Sequence, residues 1–271
     1  MSPAVSARLG SVLFWTAVAV ILAYMTIPAL VVVMTSFSPS ELLEFPPSGF
    51  SLKWYRRALS YADFQSAFAN GLIVTAFAAT LALLIGSAFA YLVERYAFPG
   101  RVALEAILSS PLIVPHFTTG FGFLLLGAGL RLGQSYAIVI AAHVLLTLPF
   151  VVRSVYVSLR NLDPELERAA ANLGASPVNV LSRVTLPLLL PGMAGGWLLA
   201  AILSLTEFTA SLYVTAQRTQ TLPVAMYTYV REYTDPTIAA VSALLILFTT
   251  ALMLVANRYL GLRRILAIDA R

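Results

Sequence analysis

The sequence predicts an all-α integral membrane protein that crosses the bilayer six times. Hydrophobic residues make up 59% of the chain and charged residues 11%, an apolar excess that ordinary soluble domains do not have. Six apolar runs reach the roughly 20 residues that a helix needs to cross the hydrocarbon core. A charged, helix-patterned segment separates the fourth run from the fifth, where a short loop is more usual. We therefore predict one membrane domain over residues 1–271 with one structured loop.

The six apolar runs define the predicted transmembrane helices. The first is too long and too uniformly apolar for a cleaved signal peptide, and no small-residue cleavage site follows it, so we expect a membrane helix there. The longest connection, 37–68, is predicted as an external loop with a short amphipathic helix, either an interfacial anchor or a docking element. The predicted spans are residues 12–36, 69–93, 106–129, 136–157, 188–214 and 237–257.

The basic residues predict which side of the membrane each loop faces. With a cytoplasmic N-terminus, 11 of the 17 lysines and arginines lie on the cytoplasmic side, as the positive-inside rule requires. Both termini and the loop 158–187 then face the cytoplasm. The net charge of +5 follows from this bias and gives no reason to expect a nucleic-acid partner. The basic residues on the opposite side are Lys53, Arg56, Arg57, Arg131, Arg218 and Arg231.

The cytoplasmic loop contains start and stop signals for two short helices. Asp163 is a good N-cap, and Pro164 suits the first helical position. Gly174 lies where a left-handed residue would end the first helix. Ser176 and Pro177 repeat the cap-then-proline pattern and begin a second helix. The segment is therefore predicted to form a helix–glycine–helix unit.

The first of these helices carries a narrow apolar stripe against a charged back. A helix of this length has only marginal stability by itself in water, so we expect its apolar stripe to pack against another surface. We expect that surface to be a groove on another protein. The stripe consists of Leu166, Ala169, Ala170 and Leu173, spaced i, i+3, i+4 and i+7.

The common catalytic and metal-binding motifs are absent from the sequence. Lys53 is the only lysine, which excludes a Walker-type GxxxxGK phosphate loop. The chain has no cysteine and only two histidines, His116 and His143, and it contains neither HExxH nor GxSxG. We therefore predict a transport protein that is not an enzyme and that itself binds no metal or cofactor.

The helix–glycine–helix unit resembles the cytoplasmic signature of permease subunits of bacterial ATP-binding-cassette (ABC) importers of type I. That signature reads EAA, three residues, glycine, nine residues, isoleucine, any residue, leucine, proline. Arg168 takes the place of the signature glutamate, and Glu167 precedes it. The remaining positions match in spacing and are Ala169, Ala170, Gly174, Val184 in place of isoleucine, Leu186 and Pro187.

The resemblance covers nearly the whole chain and is closest to the spermidine/putrescine permease branch. Residues 45–55 are similar to the first external loop of that branch, and 203–213 and 221–245 are similar to its fifth span and last loop. The implied substrate is a polyamine or a related small organic cation. Neighbouring branches, which import 2-aminoethylphosphonate, ferric iron, thiamine or an oxyanion such as sulfate or molybdate, remain alternatives.

The resemblance implies a permease that works in a complex in the cell inner membrane. The implied partners are two copies of a cytoplasmic ABC ATPase, which hold ATP and magnesium, a second permease, and a periplasmic or extracellular substrate-binding protein. A permease heterodimer is favoured over a homodimer because the polyamine branch uses two different permeases. The implied ATPase-coupling residues are Glu165, Leu166, Glu167, Arg168, Ala169, Ala170, Leu173, Gly174, Leu186 and Pro187.

Glu207 and His116 are candidates for the substrate pathway. An ionisable group within a span usually faces a cavity or a partner, so Glu207 either attracts a cation along the route or binds a neighbouring arginine or backbone group. Pro111 and Pro115 are expected to break the third span and free backbone carbonyls beside His116, whose alternative role is packing. His143 is expected in the core.

Two other classes of membrane protein fit the sequence less well. A secondary transporter usually has several membrane carboxylates or inverted repeats, whereas this chain has one deep candidate and no repeat. A channel or scaffold does not need the cytoplasmic helix pair. Loss of transport on removal of a separate ATPase subunit would distinguish an ABC permease from both.

Overall fold

The computed structural model describes residues 3–260, which form helices joined by short irregular segments with no strand among them. A 3-10 turn, Ser110–Leu112, and a π-helical turn, Leu181–Thr185, lie between helices. The α-helices are α1 (Pro3–Thr35), α2 (Lys53–Ser60), α3 (Ala62–Arg95), α4 (Arg101–Ser109), α5 (His116–Gly129), α6 (Tyr136–Arg160), α7 (Pro164–Asn172), α8 (Pro177–Val180), α9 (Leu186–Thr206), α10 (Ser211–Val214), α11 (Leu222–Glu232) and α12 (Thr237–Leu260).

Five continuous helical segments in the described part of the chain are long and apolar enough to cross a membrane. A sixth span results if the pair Arg101–Leu112 and His116–Gly129, bent by 100°, is counted as one. The predicted all-α fold with six spans agrees with this arrangement. The five continuous segments are Gly10–Thr35, Ala62–Arg95, Tyr136–Arg160, Pro177–Thr206 and Thr237–Ala256.

The third span, predicted over 106–129 with a break at Pro111 and Pro115, consists of two helices. α4 ends at Ser109, the 3-10 turn follows, and α5 begins only at His116. Pro111 and Pro115 cause the break, because proline lacks the backbone N–H that an α-helix needs and disfavours helical geometry in the residue before it. The expected proline break is therefore confirmed, and the first helix begins at Arg101, before the predicted start of the span.

The fifth span also differs from its prediction, 188–214. Its helix runs back through the π-helical turn to Pro177 and ends at Thr206. Glu207 is extended, with φ −69° and ψ 118°, and the chain becomes helical again only in α10. Glu207 therefore lies at the end of the helix rather than within it.

The connection between α1 and α3, predicted as an external loop over 37–68, is shorter than predicted, because α3 begins at Ala62. The short predicted helix forms as α2, but its apolar face is turned into the protein. Trp54 is 3% exposed, and its indole Nε1 donates a hydrogen bond to the Ser38 carbonyl over 2.8 Å. This buried tryptophan argues against an interfacial anchor, where the ring would face lipid headgroups.

The chain divides into two compact units, and the first contains Met1–Tyr61 and Thr228–Phe248. In this unit Arg57 forms an ion pair of 3.2 Å with Asp235. The Tyr229 hydroxyl also bonds Asp235, and its ring stacks on Tyr233. Burial raises the pKa of the Tyr229 phenol, so this hydroxyl keeps its proton and donates to the carboxylate.

The second unit contains Ala62–Tyr227 and Thr249–Arg271, and its described core is built from α3, α6 and α9. Small residues allow these helices to approach closely, as is common in membrane proteins. A Cβ added at Gly86 would lie 2.9 Å from a Val151 methyl group, and the Ser154 hydroxyl donates to the Gly192 carbonyl over 2.9 Å. This three-helix core supports both sites described below.

Candidate functional site

Helix α7 is capped at both ends by its own sequence. The Asp163 carboxylate accepts the Glu165 backbone N–H over 2.9 Å, and Pro164 occupies the first helical position. At the other end Gly174 has φ +88°, its N–H bonds the Ala171 carbonyl, and the Ala175 N–H bonds the Ala170 carbonyl. This pair of bonds is a Schellman motif, which satisfies two carbonyls at the helix end. The predicted start and stop signals are confirmed.

The second short helix joins α7 directly to the fifth span. The Ser176 hydroxyl accepts the Asn179 backbone N–H over 3.4 Å and caps α8. From Pro177 the helix continues through the π-helical turn into α9, where Leu186 and Pro187 are the first two residues. Only four non-helical residues, 173–176, held by capping bonds, therefore separate α7 from the helix that leads into α9.

The apolar side chains of α7 and α8 lie on the surface. No residue of α7 is buried, and Leu166 and Leu173 are 47% and 89% exposed. Val178 in α8 is 72% exposed. The structure thus places most of the predicted stripe, including Ala169, on an open face, with Ala170 half-buried.

Glu167 connects α7 to two membrane helices. One oxygen, Oε1, lies 3.3 Å from Arg95 Nη2 at the end of α3 and accepts a hydrogen bond of 2.7 Å from the Thr185 hydroxyl. The Arg95 and Glu167 side chains are 17% and 18% exposed, and Thr185 is fully buried. Arg168, which replaces the signature glutamate, instead pairs with Glu165 on the exposed face. The inward ion pair is therefore made one residue before the signature position.

A polar cluster surrounds the break after α9. Glu207 Oε2 lies 2.8 Å from His116 Nδ1, and Oε1 accepts the Ala210 backbone N–H over 2.8 Å. The Glu207 side chain is only 10% exposed, whereas that of His116 is 47% exposed. The structure thus brings the two predicted pathway residues together. Glu207 also binds a backbone N–H group, which was the alternative role predicted for it. His116 is too exposed for its alternative role in packing.

His143 lies in the same cluster, 1% exposed, as expected for a core residue. Both ring nitrogens have hydroxyl partners: Nδ1 lies 2.8 Å from Ser204 Oγ and Nε2 lies 2.9 Å from Ser211 Oγ. A cavity of about 110 Å³ lies among these side chains. Its lining includes His116, His143, Phe150, Ser204, Thr206 and Glu207.

The sequence alone did not reveal the partners of these residues. Arg95, Thr185 and Ser211 carried no motif, and their roles depend on contacts between elements far apart in the chain. Serine and threonine are frequent in membrane helices, so their presence is a weak signal. Among the described residues, no three His, Cys, Asp or Glu side chains come together as metal ligands would.

Comparisons with known proteins place this geometry in a family. Residues 82–264 match the model of the family "Binding-protein-dependent transport system inner membrane component". The spermidine/putrescine transport system permease protein PotC of Escherichia coli (strain K12) is 30% identical over 237 residues, 88% of this chain and 89% of PotC. The putrescine transport system permease protein PotI of the same strain is 32% identical over 226 residues, 81% of this chain and 80% of PotI.

A solved structure shares the fold. One chain of a bacterial ABC transporter involved in the import of the acidic polysaccharide alginate matches with a TM-score of 0.70 and 17% identity, covering 94% of this chain and 97% of that one. At this identity the likeness concerns the fold alone, which is that of the type I importer permeases. With the family match over residues 82–264, the conclusion is that this chain belongs to the inner membrane components of binding-protein-dependent transport systems.

Proposed function

We propose that this chain is the non-catalytic permease subunit of an ATP-driven importer, and that it translocates a polyamine or a related small organic cation. The observation that carries the proposal is α7, a capped amphipathic helix with no buried residue that projects apolar side chains from a membrane protein. Most of its apolar stripe stays uncovered within the described part of the chain, and such a stripe is suited to a groove on a partner. The partner is a cytoplasmic ATPase, which holds ATP and magnesium.

Two connections transmit force between the ATPase and the membrane helices. Closure of two ATPase subunits on ATP would push two copies of the α7 element together and rock the spans as rigid bodies. α8 and the π-helical turn carry the movement into α9, and the Glu167–Arg95 ion pair carries it into α3. The Schellman motif at Gly174 keeps the lever stiff.

The proposed complex contains two permeases, two ATPases and an external binding protein. A heterodimer of permeases follows the polyamine branch, and both termini and α7 face the cytoplasm, in line with the bias of basic residues. The second permease completes the pore, and the binding protein delivers the solute to its outer opening.

The substrate proposal rests on the relatives and on Glu207. PotC is named for spermidine and putrescine transport and PotI for putrescine transport, and both solutes are cationic amines. Glu207 supplies a carboxylate beside a cavity of about 110 Å³ at the break in the fifth span. A mostly buried carboxylate attracts ammonium groups, and His116 would release it as the substrate arrives.

Gentle affinity purification of the chain from its native membrane, followed by mass spectrometry, tests the proposed partners. We expect an ABC ATPase and a second, different permease. Recovery of the chain alone, under conditions that preserve a known transporter complex, would support a secondary transporter instead.

The substrate is tested on the binding protein that the purification identifies. Thermal-shift measurements with putrescine, spermidine, 2-aminoethylphosphonate, thiamine, ferric iron and molybdate separate the alternatives. We expect stabilisation by the polyamines, since a bound ligand stabilises the folded state by mass action. Stabilisation by molybdate or the phosphonate alone would refute the polyamine proposal and leave the permease assignment intact.

A further inference from the structure

The break in the fifth span is bridged by a hydrogen-bond chain centred on His143. Thr75 in α3 lies 3.3 Å from Ser204 in α9, Ser204 contacts His143 Nδ1, and His143 Nε2 contacts Ser211. Ser211 then bonds the Glu207 carbonyl over 2.9 Å. One imidazole from α6 therefore connects the last turn of α9 with the first residue of α10.

The two groups at the ends of this hydrogen-bond chain, the Glu207 carbonyl and the Thr75 hydroxyl, determine which atom donates in each bond. The Glu207 carbonyl can only accept, so the single hydroxyl proton of Ser211 is donated to it. Ser211 Oγ must then accept from His143, which places a proton on Nε2. Thr75 donates to Ser204, so the Ser204 hydroxyl is free to donate to Nδ1. A neutral imidazole with its proton on Nε2 satisfies every member of the chain.

A doubly protonated His143 does not fit these contacts. Protonated Nδ1 would need an acceptor, and the Ser204 hydroxyl proton would lose its partner. The groups bonded to the ring are the hydroxyls of Ser204 and Ser211, and Thr75 of α3 reaches the ring only through Ser204. Among the described residues, no carboxylate is bonded to the ring. The titratable groups nearest to it, Glu207 and His116, line the same cavity and are paired with each other. An imidazolium buried to 1% exposure would therefore lack a counter-ion.

We infer that neutral His143 is a positioning residue for Glu207. Ser211 satisfies the carbonyl that the end of α9 leaves without an intrahelical partner, and His143 holds Ser211 in place. With its backbone fixed, Glu207 directs one carboxylate oxygen to the Ala210 N–H and the other to His116. The consequence for transport rests on the proposed function, because it requires that Glu207 meets the substrate.

The tautomer can be measured directly because the chain has two histidines. The full chain, carrying a purification tag without histidine and ring-¹⁵N-labelled histidine, is placed in lipid bilayers and studied by solid-state NMR. His116→Gln removes one of the two signals and assigns the other to His143. We expect protonated Nε2 and unprotonated Nδ1 throughout about pH 5.5 to 8, a range in which an ordinary histidine changes charge. An imidazolium or an Nδ1-protonated ring would overturn the inference.

Ser211→Ala is the milder variant that tests the contact, since it removes one hydroxyl and leaves the ring in place. It should shift the Nε2 resonance and leave Nδ1 nearly unchanged. An unchanged Nε2 signal would contradict the bridge.

The effect on transport is measured with two variants. His143→Leu removes both ring nitrogens, and His143→Gln keeps one hydrogen-bond donor and one acceptor. In the intact complex with putrescine as the probe, His143→Leu should raise KM by about tenfold or more at normal membrane abundance, the size of one lost buried hydrogen bond. His143→Gln should recover most of that loss. Normal KM in His143→Leu would overturn the positioning role. Absence of amine uptake by the wild-type complex would refute the proposed substrate and not this inference, whose hydrogen-bond chain is tested separately by the NMR signals of His143 and of the Ser211→Ala variant.

Discussion

Glu167 is the residue through which α7 is tied to the membrane helices. Its carboxylate contacts both Arg95 and Thr185, and the pair with Arg95 is largely shielded from water. Glu165, two residues earlier, forms an ion pair with Arg168 in which both side chains are 69% exposed. Exposed ion pairs add little to the free energy of unfolding because water and salt screen them, whereas a shielded carboxylate with two partners adds more.

Glu167→Gln should therefore destabilise the folded protein, whereas Glu165→Gln should have little effect on its stability. We expect the first substitution to lower the free energy of unfolding by about 1–3 kcal/mol and the second by less than about 0.5 kcal/mol. Thermal unfolding of the two variants in the same detergent provides the measurement. Equal midpoints for the two variants would show that the Arg95 and Thr185 contacts add nothing.

Position 174 requires glycine because of its backbone conformation, not because its surroundings leave no room for a side chain. Its φ is +88°, and nothing lies within 4 Å of an added Cβ. Gly174→Val should cost about 1–2 kcal/mol at the helix end, misplace α7 and reduce transport more than membrane insertion. Gly174→Asn, which tolerates the left-handed region, should keep more activity. Uptake normalised to abundance on membrane blots is the readout, and normal uptake by the valine variant would contradict the role of this turn.

The helices show which parts of the fold local sequence signals can predict. The caps at Asp163 and Ser176, the stop at Gly174 and the break at Pro115 are local patterns, and the structure contains each of them. The end of α9 at Thr206 was missed, because LSLTEFTASLY contains neither proline nor glycine. This end is stabilised by contacts from α5 and α6, which hydropathy cannot reveal.

Close packing of α5 against the chain before α10 is a second feature that only the structure reveals. A Cβ added at Gly120 would lie 2.7 Å from the Ala210 Cα atom, whereas one added at Gly122 meets nothing within 4 Å. Both glycines lie in α5, so replacement by alanine improves helix propensity equally, by about 1 kcal/mol.

Gly120→Ala and Gly122→Ala thus form a matched pair. We expect Gly120→Ala to lower the unfolding midpoint and the uptake rate, because the backbone of Ala210 must move and overpacking costs about 1–3 kcal/mol. Gly122→Ala should be neutral or slightly stabilising. If both variants unfold at the same temperature, the close approach of α5 to Ala210 is incorrect.

At the scale of the whole molecule, the sequence predicts the class of protein and the type of fold but not the contacts between distant residues. Composition and the six apolar runs were sufficient for the membrane class and the all-α fold, since both depend on the length and polarity of single segments. The pairing of Glu207 with His116 was not predictable, because it joins residues 91 positions apart. Orientation rests on the excess of basic residues on one side.

The absence of native cysteine allows the orientation and the ATPase contact to be measured with single-cysteine variants. Leu173, 89% exposed, reports on the helix pair at α7, and Leu42, 69% exposed, reports on the external connection. Leu42→Cys thus controls for reagent access and for the side of the membrane.

Labelling of Leu173→Cys with a membrane-impermeant maleimide, with and without the ATPase, tests whether α7 is a cytoplasmic helix that docks on the ATPase. We expect labelling of Leu42→Cys from outside intact cells and labelling of Leu173→Cys only in inverted vesicles. The bound ATPase should protect Leu173→Cys from the reagent. Labelling of Leu173→Cys from outside, or equal labelling in the presence of the bound ATPase, would contradict a cytoplasmic coupling helix.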